Sequence, residues 1–216
     1  MKKSILILIA GLISIYILGT IHATACVATV SPYDYGDAPD PLYPTLLANN
    51  GARHEISNLY LGAGVDTDDD GLSSALADGD VDDGIGFPNI WVRGLTANIG
   101  VTSSGTGSLN AWVDFNGDGD WADAGEQVFT NTALTAGTNP LFFDIPDAAI
   151  EGYTYARFRL NTAGNLDYFG SALDGEVEDY RVEITSPVPV PASLVLLGMG
   201  LLGFAGLSRK KMTHLK

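Results

Sequence analysis

An acidic stretch between two runs of alternating residues constrains this chain most. It reads Asp114-Phe115-Asn116-Gly117-Asp118-Gly119-Asp120-Trp121-Ala122-Asp123-Ala124-Gly125-Glu126. Oxygen-bearing side chains stand at Asp114, Asn116, Asp118 and Asp120, at alternate places, so a tight turn gathers them on its concave side. Gly119, at the sixth place, permits the positive φ that such a turn needs. Carboxylates this close repel one another. A hard divalent cation relieves that repulsion, and Ca2+ suits an all-oxygen ligand set. The spacing then departs from an EF-hand, which wants Glu at the twelfth place; Gly125 is twelfth and Glu126 thirteenth. Residues 109–115, before the loop, read as a strand and not as a helix. The expectation is calcium-loop chemistry on a β scaffold, with Asp114, Asn116, Asp118, Asp120 and Glu126 as ligands. The plain alternative is a solvated acidic turn.

A second loop repeats the pattern. Asp66-Thr67-Asp68-Asp69-Asp70-Gly71 has acids at places one, three and five and glycine at six, and Asp78 stands as far after Asp66 as Glu126 does after Asp114. Asp66, Asp68, Asp70 and Asp78 are the ligands this spacing nominates, and Asp80, Asp82 and Asp83 extend the run. The surrounding residues 33–87 are rich in Asp, Gly and Pro, with little periodicity; Asp34-Tyr35-Gly36-Asp37-Ala38-Pro39-Asp40 is a turn cluster. A segment that buries little and repels itself holds no fixed shape without cations. The alternative here is a flexible acidic linker.

The charge is lopsided in the same sense. All 26 acidic residues lie between Asp34 and Glu183, against five basic ones there: Arg53, Arg93, Arg157, Arg159 and Arg181. Nucleic acid and anionic lipid are poor partners for such a field, which leaves divalent cations, cationic surfaces and neutral sugars. The single cysteine, Cys26, excludes an intrachain disulfide framework. His54 is the only histidine outside the end segments, and no Gly-x-Ser-x-Gly accompanies it. A zinc site built mainly from His and Cys lacks ligands. Among 26 acids some pair always lies at a glycosidase separation, so carboxylate pairing by itself carries no information. No enzymatic activity is expected.

Residues 1–25 have the layout of an export signal: Lys2 and Lys3, an apolar run over 5–21, then Ala23-Thr24-Ala25 as a cleavage site for signal peptidase. Cleavage would leave Cys26 first. A lipid-modified Cys usually has Leu three residues earlier, where Ala23 stands, so ordinary cleavage is the main reading, with lipidation or an uncleaved anchor as alternatives. Residues 186–216 form the other special segment: Pro187-Val188-Pro189-Val190-Pro191-Ala192-Ser193, a glycine-rich apolar membrane helix over 192–207, then Arg209-Lys210-Lys211. Sixteen residues fall short of a comfortable span of about 20. The basic end fits a cytoplasmic stop and transient anchoring in the inner membrane.

Between the ends, residues 26–88 form the acidic segment and 89–185 a β domain. Runs at 90–93, 96–102, 109–115, 127–130, 141–145, 153–160 and 180–184 read as strands, with turns between them at 103–107, 117–125, Asn139-Pro140 and 161–165. Seven short strands at this spacing predict an all-β, two-sheet sandwich, Ig-like or jelly-roll-like. In 153–160, Ala156, Phe158 and Leu160 share one face and Tyr155, Arg157 and Arg159 the other. In the last strand Tyr180, Val182 and Ile184 alternate with Arg181 and Glu183. Trp112 and Trp121 are expected to pack; exposure of Trp121 would instead point to a sugar platform.

The residues Asp174-Gly175-Glu176-Val177-Glu178-Asp179-Tyr180 spell the signature of the GEVED domain. The blocks 112–121 and 155–160 resemble that family's other blocks, in the right order, over residues 89–184. The resemblance implies a β-rich bacterial surface module with no established enzymatic role. The tail resembles the PEP-CTERM class, in the variant whose middle Glu is replaced, here by Val190. That resemblance implies an exosortase as processing partner, a Gram-negative host, removal of the tail and delivery to the cell surface or matrix. The function expected is a calcium-stabilised structural or adhesive protein of the cell surface or extracellular matrix. A carbohydrate-binding module for exopolysaccharide is the alternative. For the motif itself, Glu176 and Glu178 are expected to form a charge ladder with Arg157 and Arg159 across neighbouring strands. Otherwise Glu176 or Asp179 reaches the Asp114 loop as a late ligand.

Overall fold

The computed structural model describes residues 33–188 and Leu202. The expected export signal, Cys26, and the tail helix apart from Leu202 lie outside the described residues. Among those described, no helix is long and apolar enough to cross a membrane.

The described residues form eleven strands, the long ones built on alternation of apolar and polar residues. They are β1 (Tyr33–Tyr35), β2 (Arg53–Glu55), β3 (Ile85–Gly86), β4 (Trp91–Val92), β5 (Thr96–Ser103), β6 (Gly107–Val113), β7 (Gln127–Leu134), β8 (Gly137–Asp144), β9 (Gly152–Asn161), β10 (Ser171–Ala172) and β11 (Glu176–Thr185). Among the described residues a single short 3-10 turn, Leu47–Asn49, interrupts them. The seven expected strands are β4 to β9 and β11. The four others are only two or three residues long, too short to show a period. The turn expected at Asn139-Pro140 falls inside β8. Because β8 is an edge strand, Pro140 costs no ladder hydrogen bond.

Two sheets form the sandwich, ordered β4-β11-β9-β6-β7 and β3-β5-β8. Between them Ala97, Ile99 and Val101 of β5 meet Leu109, Ala111 and Val113 of β6, Phe158 and Leu160 of β9 and Ile184 of β11. Each set lies at every second residue, as a pleat requires.

Residues 33–83 and β10 form a third layer. Its small sheet, β1-β2-β10, lies against the outer face of the larger one. The composition of this segment predicts little burial, yet Tyr35, Ala38, Tyr43, Ala52 and Leu61 are buried. The cover shows in the strands beneath. Residues Leu109 to Val113 of β6 and Ala156 to Asn161 of β9 are buried on both faces. The polar face of β9 is therefore enclosed. A second apolar cluster, Ala38, Tyr43, Trp112 and Trp121, fills the space between this layer and the sheet, so both tryptophans pack as expected.

Candidate functional site

Pairing of β11 with β9 sets the geometry of the signature. Asp179 stands opposite Arg157, Val177 opposite Arg159, Glu178 opposite Phe158 and Glu176 opposite Leu160. Alternation puts Glu176 and Glu178 on the inner face with Tyr180, Val182 and Ile184. Arg157 and Arg159 lie on the outer face. The expected ladder between those glutamates and those arginines does not form, because the four side chains emerge on opposite sides of one sheet. Only Asp179 meets an arginine: its Oδ2 is 2.6 Å from an Arg157 terminal nitrogen, and Arg157 Nε donates to Oδ1 at 2.7 Å. Neither Glu176 nor Asp179 bonds the Asp114 loop.

Glu176, Glu178 and Asp179 instead each hold backbone N–H groups of the third layer or of Gly84 beside it. Glu176 Oε2 accepts from Leu61. Glu178 Oε1 accepts from Asp83 at 3.1 Å and Gly84 at 2.8 Å, and its Oε2 accepts from the Tyr180 hydroxyl. Asp179 Oδ2 accepts from Asp37 and Ala38, both at 2.9 Å. The layer reciprocates along the free edge of β11, where β4 pairs only with Ile184 and Thr185. There Asp34 Oδ2 accepts the Val177 N–H at 2.7 Å and Asp82 Oδ1 the Asp179 N–H at 3.0 Å. Two aspartates thus satisfy ladder donors that an edge strand would leave open. Gly36 makes this approach possible: a β-carbon there would run into the Asp179 carboxylate and the Arg157 guanidinium.

The arginines organise the outer face. Arg157 stacks 4.7 Å over the Trp121 ring and donates to the Pro44 and Tyr168 carbonyls. Arg159 donates to carbonyls of Asp167, Phe169 and Gly170 and, through Nε, to His54 Nε2 at 3.0 Å. His54 Nδ1 lies 2.8 Å from the Asp174 carbonyl, so it carries the proton. Burial, then the Arg159 charge, hold this imidazole well below its usual value, neutral. Burial, then Arg157, lower Arg159 itself to about 9.

Carboxylates outnumber these cations. Burial first, then Glu178, push Glu176 up to about 10. Burial raises Glu178 to about 7 against the pull of its three donors. Asp34 lies well above the usual range for the same leading reason, with Glu176 next.

The two expected calcium loops behave differently. In the first, Asp114 is buried and accepts from Tyr43 Oη at 2.6 Å and from the Gly117 and Gly119 N–H groups. The Asn116 amide donates to Asp118 and Asp123, and Asp118 and Asp120 each accept a backbone N–H two residues on. Glu126 accepts from Phe115 and Asp123; burial, then Asp114, raise it to about 7. Gly119 has the expected positive φ, 96°. No three of these acids converge on one point.

In the second loop Asp70 accepts from Leu47 and Gly71, and Asp78 from the Ser74 hydroxyl, both at the surface. Asp68 turns inward, its Oδ2 accepting from Tyr35. One oxygen each of Asp34, Asp68 and Asp80 lie within 4.8 Å of one another, the one such group among the described residues. Burial, then Asp68 and Asp66, push Asp80 up to about 7. So the structure brings Asp68 together with Asp34 and Asp80, sets Asp66 close by, and leaves Asp70 and Asp78 apart. Neither Asp34 nor Asp80 belongs to the loop pattern. Their only sequence signal was membership of acidic turn clusters on either side of it.

These observations define a class: an all-β sandwich whose signature acids lock an acidic covering layer to one sheet edge. Comparison with known families agrees. Residues 108–183 match the GEVED domain, and residues 187–210 match the PEP-CTERM protein-sorting motif. The chain thus carries a GEVED domain and a PEP-CTERM sorting tail, which indicate an exosortase-sorted, exported extracellular protein. The GEVED match begins in β6; β3 to β5 and the covering layer apart from β10 lie outside it. No curated protein matches the chain.

Proposed function

We propose that this protein is a calcium-stabilised structural or adhesive module of the cell surface or extracellular matrix. The observation that carries the calcium reading is the convergence of Asp34, Asp68 and Asp80 where the covering layer meets the β11 edge. Three ionised carboxylates there form a hard, anionic oxygen site suited to Ca2+. A cation at that point would brace β1, the 66–71 loop and the 78–83 turn against the sheet. The non-catalytic reading is supported by His54, which is buried with both ring nitrogens engaged. Trp112 and Trp121 are buried, as expected of packing residues, which favours the structural reading over exopolysaccharide binding.

Calcium titration followed by thermal melting tests this. The affinity expected is that of extracellular modules, about 10⁻⁴–10⁻³ M, with melting temperature rising by mass action. Asp68→Asn should reduce the rise. Unchanged melting of the wild type in millimolar calcium would remove the calcium reading. Mass spectrometry of protein recovered from the cell surface should place its end within 187–193, in keeping with removal of the tail there. Retention of Lys216 would contradict surface delivery by that route.

A further inference from the structure

The covering layer holds a second group of acids, separate from Asp34, Asp68 and Asp80. Asp37, Asp82 and Asp179 are tied through one another's backbones. The Asp37 N–H donates to Asp179 Oδ2, the Asp179 N–H donates to Asp82 Oδ1, and the Gly79 and Asp80 N–H groups donate to Asp37 Oδ2 at 2.6 and 3.2 Å. Each acid therefore has one oxygen fixed by a donor. The Asp179 oxygens are both used, by Arg157 and by the Asp37 and Ala38 N–H groups. The other two acids are left with an open valence. Asp37 is wholly buried, and its Oδ1 has no hydrogen-bond partner; Asp82 Oδ2 is likewise sealed from solvent with no partner.

A buried carboxylate oxygen with no donor is costly, and hydrogen bonds tie two such acids to one turn: the Asp80 N–H on Asp37 Oδ2 lies two residues from Asp82, and both acids bond Asp179. The one cation in contact, Arg157, has its Nε and one terminal nitrogen on Asp179 and the other on carbonyls. No N–H or O–H of the surrounding chain reaches the two open oxygens.

We propose that Asp37 Oδ1 and Asp82 Oδ2 are ligands of a second divalent cation, Ca2+ by the hardness of the oxygen set, held between the covering layer and the signature strand. Backbone carbonyls and water would complete its shell. Asp82 remains partly exposed as a residue, which leaves a path for the ion. The ion would join the 36–38 turn and the 79–83 turn to Asp179, and so convert a hydrogen-bonded clasp into a metal-locked one. This extends the calcium reading given above to a site of different residues.

The competing explanation is a proton shared between the same two oxygens. Calcium stoichiometry on the full chain in detergent separates the two. Wild type should bind two ions, Asp82→Asn and Asp37→Asn one each, and Asp68→Asn should lose the other. If both Asp82→Asn and Asp37→Asn bind as many ions as wild type, this site is overturned while Asp34, Asp68 and Asp80 stand. A shared proton predicts that result, with Asp82→Asn melting no lower than wild type, since its amide can mimic the protonated acid. One ion in wild type, lost only in Asp68→Asn, overturns it equally. Absence of any binding removes both sites. Should either substitution prevent folding, hydrogen exchange of the wild type decides: the Gly79, Asp80 and Asp179 amides should gain about tenfold protection or more at saturating calcium. Unchanged exchange there overturns the proposal.

Discussion

The loops at 66–71 and 114–119 place acids and glycine alike, and they meet different ends. In the later loop the polar atoms turn back on the chain that carries them. Asn116, Asp118 and Asp120 bond neighbours two to seven residues away, and Asp114 reaches out only to Tyr43. Its rigid frame, the end of β6 and the start of β7, brings backbone donors within reach. The earlier loop has no strand on either side. Its Asp68 finds partners across the fold in Tyr35, Asp34 and Asp80. An acidic turn that can hydrogen-bond its own backbone has less need of an ion than one whose carboxylates meet other carboxylates.

The largest expected effect lies on the side of the covering layer. Arg157→Met removes the partner of a wholly buried Asp179, and breaking such a pair should cost about 3–5 kcal/mol in urea unfolding. A loss near zero would mean that the layer is held by packing alone. Next, Asp114→Ala orphans the Tyr43 hydroxyl and the Gly117 and Gly119 donors, for about 2–4 kcal/mol. That loss should be the same with and without calcium, whereas the loss in Asp68→Asn should grow with calcium. Equal calcium dependence in both variants would erase the contrast between the loops.

Acid, read through His54 of the covering layer, provides a third, smaller probe. The folded His54 value is depressed, so the unfolded chain takes the proton more readily. Its contribution is complete above about pH 6.5 and declines as pH falls below that. The difference in stability between wild type and His54→Gln should shift by up to about 1.4 kcal/mol per pH unit below pH 6. Taking the difference cancels the buried acids, whose raised values favour folding at low pH. A pH-independent difference would mean that His54 is not held neutral. Last, Gly119→Ala forces a side chain into a φ of 96° and against Leu42, for about 1–2 kcal/mol without calcium dependence.

What the sequence determined by itself was what short-range rules control. Period-two runs located the six long strands, β5 to β9 and β11, because a pleated strand must bury every second residue. The same period already implied that Glu176 and Glu178 share a face with Tyr180 and Val182, and so could not meet Arg157 and Arg159. Gly119 was legible as a positive-φ residue because its neighbours demanded a tight turn. The covering layer was not legible, because β1, β2 and β10 are too short to show a period and its acids looked destined for water. Only the tertiary structure brought residues 33–83 onto the outer sheet face. There the Val177 and Asp179 donors needed acceptors, and Arg157 and Arg159 needed acids and carbonyls. A carboxylate's role depends on which donors, charges and solvent surround it, and for Asp34, Asp37 and Asp82 those neighbours include Val177 and Asp179, far along the chain.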